Sequence, residues 1–506
     1  MVERANEKLP GAASRQDRSP LEREIQRLAM LALFRLRRLD AGRREWIRRL
    51  RGRPHELHFF HQVDDPYSQL ALEAIPRLAE RYDFVLRFHL VSPTDRVHAP
   101  EPELLAAYAR RDCGWIAPHQ GLDFPRDAAR PSAEDVRRVE RVLAGRMGHT
   151  ELPAIALELG RALWTNDPAA RATLVRLEQA RGLGSPTVSA ETAAWALETA
   201  EEEADRMIRA GNAMRRAWGH YSGGTFWYAG EWYWGVDRLE HLELRWRALG
   251  AGRRGTVDDA LCFPRPPLDP GPRRDDADRP RLALEIFPSL RSPYTAVIFE
   301  RALALARTAG VPVSLRPVMP MVMRGVPAPA AKAIYIMLDA KREADRLGVP
   351  FGNMSDPIGR PVLRGFSLWP FARARGREAE YIAAFLRAAF VEGRATGTDA
   401  GLRRVVESAG LDWKEALPFL DSTDFLEELE RNRVLLYEEL GLWGVPSFRL
   451  RGPEGEPDLC VWGQDRLWLV AAEMRRRLAL PRTEETVGDP AKGGSATAGP
   501  LASASA

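Results

Sequence analysis

The chain has 506 residues, too many for one ordinary domain, and its 45% hydrophobic content is enough for more than one core. Its 74 basic residues, nearly all arginine, face 70 acidic ones for a formal charge of +4, a balance that gives no case for a nucleic-acid partner. The three cysteines, Cys113, Cys262 and Cys460, lie far apart, which excludes a local zinc ribbon or a Cys-x-x-Cys dithiol. No run approaches the ~18 apolar residues of a membrane span, and a reducing cytoplasm is the expected compartment.

In chain order, residues 1–20 are polar and punctuated by Pro10, Gly11 and Pro20, and read as disordered. Residues 21–51 predict an amphipathic helix with Leu21, Ile25, Leu28, Ala29, Ala32, Leu36 and Leu39 on one face and arginines elsewhere. The expectation is that the apolar face packs on the body and the arginines stay solvated, an anionic surface being the alternative. A strand follows at Leu57, then Asp65-Pro66-Tyr67, a helix around residues 71–79, and a second strand at 84–91. Residues 250–280 hold too many prolines for a helix and predict an extended linker. Residues 282–290 then read as a buried strand leading into Arg291-Ser292-Pro293-Tyr294-Thr295 and a helix, so Ser292 sits at a strand-to-helix junction with Pro293 in the first turn. Another strand completes this β-α-β unit by residue 318. Helical periodicity follows over 329–347, 379–391, 400–408, 413–420 and 424–440. Then come Gly444-Val445-Pro446-Ser447-Phe448 opening a strand, a second strand at 459–462, and a last helix over 465–477. Beyond about residue 480 the composition turns to Gly, Ala, Ser and Thr.

The first and second halves repeat one another. Asp65-Pro66-Tyr67 and Ser292-Pro293-Tyr294 stand 227 positions apart (292 − 65), as do Tyr108 and Tyr335, Asp112 and Asp339, Gly121 and Gly348, and Phe124 and Phe351. Trp234-Gly235-Val236-Asp237-Arg238-Leu239 aligns with Trp462-Gly463-Gln464-Asp465-Arg466-Leu467 at an offset of 228. Several matches in order at nearly one offset indicate a tandem duplication. The expected fold is α/β: two tandem thioredoxin-like domains, each with a helical insertion between β-α-β and β-β-α units. The expected boundaries are 1–54 for the N-terminal segment and helix, 55–250 for the first domain, 251–280 for the linker, 281–480 for the second domain and 481–506 for the tail.

The element order, Ser292-Pro293-Tyr294 at the first helix and Val445-Pro446 before the third strand make the second copy resemble the DsbA-like branch of the thioredoxin superfamily. Within that branch it is similar to 2-hydroxychromene-2-carboxylate isomerase and kappa-class glutathione transferases. Lys332-x-x-Tyr335-x-x-x-Asp339-x-x-Arg342, Gly348-x-Pro350-Phe351 and Trp462-Gly463-Gln464-Asp465-Arg466-Leu467 carry the likeness across the rest of the domain. The resemblance implies that Ser292 activates the thiol of bound glutathione, or of another low-molecular-weight thiol, with no metal. A hydroxyl donor beside a helix N-terminus favours a thiolate. It also implies a cis Val445-Pro446 bond whose valine backbone pairs with the glutathione cysteine, and Gln464 and Asp465 holding the γ-glutamyl end. Tyr294, Lys332, Tyr335, Asp339 and Arg342 would line the cavity for a small aromatic or organic acid. The last four fall at i, i+3, i+7 and i+10, so an internal ion-pair network on one helix face is an equal reading of them, and a plain helix cap is an equal reading of Asp465.

The first copy departs from this pattern. Asp65 replaces the serine, and a carboxylate there would repel a thiolate; Gly224 stands where Pro446 stands; Leu105 and Trp115 replace Lys332 and Arg342. It reads as a degenerate domain kept for packing, with Asp65 as a general base the alternative. The function expected is therefore a glutathione-dependent isomerase or transferase. The alternatives are a non-catalytic binding or assembly protein and, against the missing dithiol, a thiol–disulfide oxidoreductase. Expected partners are a small-molecule substrate and the chain's own second domain, with a homodimer left open.

Overall fold

In the computed structural model, residues 18–165, 167–183, 189–253, 260–271 and 281–479 are described. Of the segments read as disordered, 1–17 and 480–506 lie outside these, as do 254–259 and 272–280 of the linker, whereas residues 18–20 are described and Pro20 opens the first helix.

The first element is a 31-residue helix, α1, Pro20–Leu50. A capping box starts it: Ser19 Oγ accepts from the Glu22 amide at 3.2 Å while Glu22 accepts from the Ser19 amide at 2.7 Å. Two four-stranded mixed sheets follow. The first contains β1 (Glu56–His61), β2 (Val85–Leu90), β3 (Thr225–Tyr228) and β4 (Glu231–Trp234), in the order β2-β1-β3-β4. The second contains β5 (Ala283–Phe287), β6 (Val313–Leu315), β7 (Ser447–Arg451) and β8 (Leu459–Trp462), in the order β6-β5-β7-β8. In each, the first pair is parallel and the other two are antiparallel. Strand order and sense are those of two thioredoxin-like units, and most of the buried apolar residues of both belong to one contiguous cluster.

Each parallel pair is joined by a right-sized crossover helix, α2 (Pro66–Arg81) in the N-terminal unit and Pro293–Ala309 in the C-terminal unit. Between β2 and β3 come α3 (Pro102–Gln120), α4 (Ala133–Ala144), α5 (Leu152–Trp164), α6 (Pro168–Gln179) and α7 (Ala190–Ala217); α8 (Leu239–Leu249) follows β4. In the C-terminal unit, the crossover helix Pro293–Ala309 is α9, and α10 (Ala330–Leu347) follows β6. Next are two helices that the periodicity did not indicate, α11 (Arg360–Ser367) and α12 (Trp369–Ala374). Gly365 and Pro370 break the apolar repeat there, and burial against the core overrides it.

One expectation is corrected. The apolar face of α1 does not pack inward: Leu21, Leu28, Leu36 and Leu39 are exposed, whereas Arg23 and Glu45 are buried. The packed face is mixed: half-buried Met30, Leu31, Leu33, Phe34 and Ile47 alternate with polar side chains, to which the body offers backbone carbonyls. Arg23 donates to the carbonyls of Asp356 and Ile358, Arg37 to that of Gly230 and Arg49 to that of Leu249, while Arg27 donates to the Asn353 side chain. The described parts of the linker, 251–253 and 260–271, carry no helix or strand, and the second is anchored to the N-terminal unit. Its Cys262 and Phe263 amides donate to the buried Glu243 carboxylate at 2.7 and 2.8 Å, and Phe263 is buried beneath Arg77.

Candidate functional site

Ser292 is the N-cap of α9. Its Oγ accepts from the Thr295 amide at 3.1 Å, so the hydroxyl is fixed over the positive end of the helix. The same hydroxyl donates to the carbonyl of Val445 at 3.2 Å, and the Val445–Pro446 peptide bond is cis, as the resemblance implies. Sheet pairing brings these segments together: β5 ends at Phe287 opposite Ser447, so the turn into α9 faces the turn into β7.

The groups face a cavity of about 1020 Å³ walled by both units and roofed by α1, at the upper end of the ~300–1,000 Å³ range of small-molecule sites. Ser292, Tyr294, Lys332, Tyr335, Val445, Gln464 and Asp465 all line it. Asp339, Arg342 and Pro446 do not.

Asp339 and Arg342 belong instead to a buried ion-pair network that ties the two units together. Arg238 of the N-terminal unit grips both Asp339 oxygens at 2.7–3.1 Å, reaches Asp465 at 2.7 Å and lies 3.5 Å from Glu343. Arg466 of the C-terminal unit grips both Asp112 oxygens at 2.7–2.8 Å and reaches Asp237 at 2.8 Å. Tyr67 donates to Asp112 at 2.7 Å and Tyr294 to Asp339 at 2.9 Å. Burial acts to raise the Asp339 carboxyl, but Arg238 and Arg342 outweigh it and hold it down at about 2. Of the two readings of the α10 face, the internal ion-pair network is the one the structure shows for Asp339 and Arg342. Asp465 also has its charge matched, since it is shared between Arg238 and Arg466. What remains for a ligand at that end is Gln464: its Nε2 donates to Glu343 at 2.7 Å, and its buried Oε1 has no partner among the described residues.

The two halves of the cavity differ at one pair of matched tyrosines. Tyr108 Oη accepts from the Trp462 amide at 2.9 Å and lies 3.1 Å from the Trp462 carbonyl and 3.2 Å from Asp112, so it is saturated. Its counterpart Tyr335 is 5% exposed, packs edge-on against His220, and its hydroxyl has no partner among the described residues. Burial, and after it the Asp339 charge, pushes the Tyr335 phenol well above its usual range, so it is a hydroxyl donor. Lys332 lies in the same cavity, donating to the His98 carbonyl at 2.8 Å, with burial pulling its ammonium below the usual lysine range.

In the N-terminal unit Asp65 caps α2 through the Tyr67 and Ser68 amides, as Ser292 caps α9. Gly224 takes the place of the cis proline: it has φ +62°, and a Cβ there would stand 2.6 Å from Asp65 Oδ2. The backbone therefore closes directly over the carboxylate, and Asp65 does not line the cavity. Burial pushes its carboxyl up to about 7, against the pull of the two amides.

Arg18, Glu22, Gln26, Met30 and Leu33 of the α1 segment also line the cavity, as do His98 and Tyr221 from the N-terminal unit. Sequence reasoning missed these. The inner edge of α1 carries the i, i+4 spacing of Glu22, Gln26 and Met30, but nothing local says that this edge meets a site more than 260 residues away (292 − 30 = 262).

Residues 283–475 match the family described as DSBA-like thioredoxin domain. This part of the chain is a DsbA-like thioredoxin domain. Among solved structures, 2-hydroxychromene-2-carboxylate isomerase is similar at 21% identity and a TM-score of 0.32, over 38% of this chain and 95% of that one. A probable DsbA oxidoreductase from Streptomyces coelicolor is similar at 21% and 0.32, over 43% of this chain and 100% of that one. The cytosolic disulfide reductase DsbM from Pseudomonas aeruginosa, solved with GSH, is similar at 21% and 0.31, over 39% and 100%. No curated protein matches the sequence. Among the described residues no helix is long and apolar enough to cross a membrane, and no group of three or more His, Cys, Asp or Glu could hold a metal ion.

Proposed function

We propose that the DsbA-like domain binds glutathione, or a similar low-molecular-weight thiol, beside Ser292 and uses the activated thiol in isomerisation or transfer chemistry on a small aromatic or organic acid. The observation that carries this reading is the Ser292 hydroxyl. It caps α9 next to the Val445 carbonyl, inside a cavity large enough for a tripeptide and a second small molecule together.

A sulfur placed at the α9 N-terminus meets the helix dipole and, once Ser292 turns from Val445, one hydroxyl donor. Both stabilise the anion more than the neutral thiol and so lower its pKa. The freed Val445 carbonyl and the Val445 N–H, which has no partner among the described residues, are placed to pair with the backbone of the thiol-bearing residue. Gln464 Oε1 suits the γ-glutamyl ammonium; Asp465 is the weaker candidate because Arg238 already neutralises it. Lys332 and Tyr335 supply a cation and a donor to the acid substrate, and Met30, Leu33 and Met321 supply apolar wall. The N-terminal unit contributes wall, not chemistry, since its capping carboxylate is covered by Gly224. With three cysteines of raised thiol pKa and no dithiol, disulfide exchange is the least supported activity.

Calorimetric titration of glutathione and an S-alkyl glutathione into the whole chain tests the reading. One site per chain, weakened or altered in enthalpy by Ser292→Ala, supports it. Absence of binding by any thiol would move the reading to a non-catalytic binding protein.

A further inference from the structure

The exposed face of α1 is apolar along its whole length, a run of about 45 Å at 1.5 Å per residue. Leu21, Ile25, Leu28, Leu36, Leu39, Trp46 and Leu50 are each between 53% and 70% exposed. With Ala32 they follow i, i+4, i+7 spacing, interrupted on the stripe only by Arg43. At roughly 180–250 Å² for a fully open Leu, Ile or Trp side chain, the seven leave about 800 Å² of residue surface uncovered. That exceeds the ~300–600 Å² of the largest patch on a typical monomer. It equals the ~800 Å² that each partner contributes to a standard interface.

The two terminal segments outside the described residues are poor in large apolar side chains. Residues 1–17 hold Val2 and Leu9 besides Met1, and residues 480–506 hold Leu480, Val487 and Leu501. Of the exposed charges flanking the stripe, Glu22 and Glu24 stand near the start, Arg35 and Arg38 at the middle, and Arg43, Arg44 and Arg49 near the end. Leu36 stands at its middle. Two copies of α1 laid antiparallel about Leu36 therefore set Arg49 of one, 13 residues past the centre, level with Glu24 of the other, 12 residues before it, twice by symmetry. Within one copy Glu24 is paired with Arg27 and Arg49 with Glu45, each one turn away, but the Glu24 and Arg49 side chains are themselves 49% and 59% exposed, where such pairs are weak.

We infer that α1 is a homodimerisation helix: a second copy of this chain docks antiparallel on the Leu21–Leu50 stripe, with Arg49 of each copy against Glu24 of the other. The interface is isologous, as a two-fold dimer requires, and is separate from the internal pairing of the two thioredoxin-like units. It is independent of the thiol chemistry, although the opposite edge of α1 roofs the cavity.

Sedimentation equilibrium on the full chain tests this, alongside Leu36→Glu, Arg49→Glu and the double variant Glu24→Arg/Arg49→Glu. All three positions are on the open face, so far-ultraviolet circular dichroism is expected to be unchanged. The expected result is a dimer for the parent chain, a monomer for Leu36→Glu, and a dissociation constant weakened about tenfold or more by Arg49→Glu. The double variant, with its charge order reversed, is expected to recover dimerisation. A parent chain that stays monomeric overturns the inference, and co-sedimentation of that monomer with phosphatidylserine vesicles would assign the stripe to a membrane surface. A dimer indifferent to Leu36→Glu also overturns it.

Discussion

Replacing Arg238 by methionine keeps most of the side-chain volume and removes the one cation that bridges the two units at Asp339, Asp465 and Glu343. Asp339 and Glu343 are 2% and 0% exposed, so water cannot take over the role of the guanidinium. Asp339 retains Arg342 at 2.6 Å and Tyr294; Glu343 retains His241 at 2.6 Å and Arg265 at 2.9 Å. Removing one partner of a buried pair costs about 3–5 kcal/mol, the penalty of the charges left behind. At about 2–4 °C per kcal/mol for a unit of this size, the melting temperature is expected to fall by about 10 °C near neutral pH. The sign of the pH dependence is fixed by the lowered Asp339 carboxyl. Its contribution is present above the unfolded carboxylate value of 3.8 and is lost as pH falls toward about 2. In the variant Asp339 and Glu343 take up protons at higher pH than in the parent, which relieves the uncompensated charge. The deficit is therefore expected to shrink as pH falls toward about 4. Differential scanning calorimetry across this range is the assay. A fall of less than about 2 °C, the same at every pH, would refute the claim that this network holds the units together.

Three further outcomes follow from the site. Ser292→Ala removes a helix cap worth about 1 kcal/mol, visible as a small drop in urea midpoint, while the thiol-dependent rate falls about 10²-fold or more. Tyr335→Phe deletes a buried hydroxyl without a partner, so stability is expected to hold or rise while KM for the acid substrate rises; an unchanged KM would remove Tyr335 from the site. Asp65→Asn keeps an oxygen acceptor for the Tyr67 and Ser68 amides and removes a carboxyl that burial raises to about 7. A raised carboxyl favours folding while protonated, fully below 3.8, and that contribution disappears as pH rises through about 7. The variant should therefore melt above the parent at about pH 8 and lose this advantage at about pH 5. No difference at the higher pH would mean that the carboxylate is solvated.

Local chemistry made the central junction legible in the sequence. A strand, a hydroxyl N-cap and a proline at the first helical position are set by neighbours within a few residues, so Ser292 and its helix could be placed before any fold was known. Val445 and Pro446 were legible as a motif, and their approach to Ser292 follows once β5 pairs with β7. Asp339 and Arg342 were ambiguous for a physical reason: spacing puts them on one helix face, but the partner that decides their role, Arg238, comes from the other unit. The orientation of α1 was misread because amphipathicity ranks faces by solvation, and arginines bonded to backbone carbonyls can be buried while leucines stay outside. The contrast between Tyr108 and Tyr335 has no sequence signal, since both tyrosines occupy matching positions and only the packed backbone of Trp462 distinguishes them.

The most direct test of the proposed chemistry is the ultraviolet thiolate absorbance of glutathione bound to the whole chain, followed as a function of pH and repeated with Ser292→Ala. The parent is expected to shift the bound thiol pKa at least one unit below the roughly 8.5 of a free thiol, and the variant to return most of that shift. A bound thiol that titrates as it does in water, or an equal shift in both proteins, would contradict the assignment of Ser292.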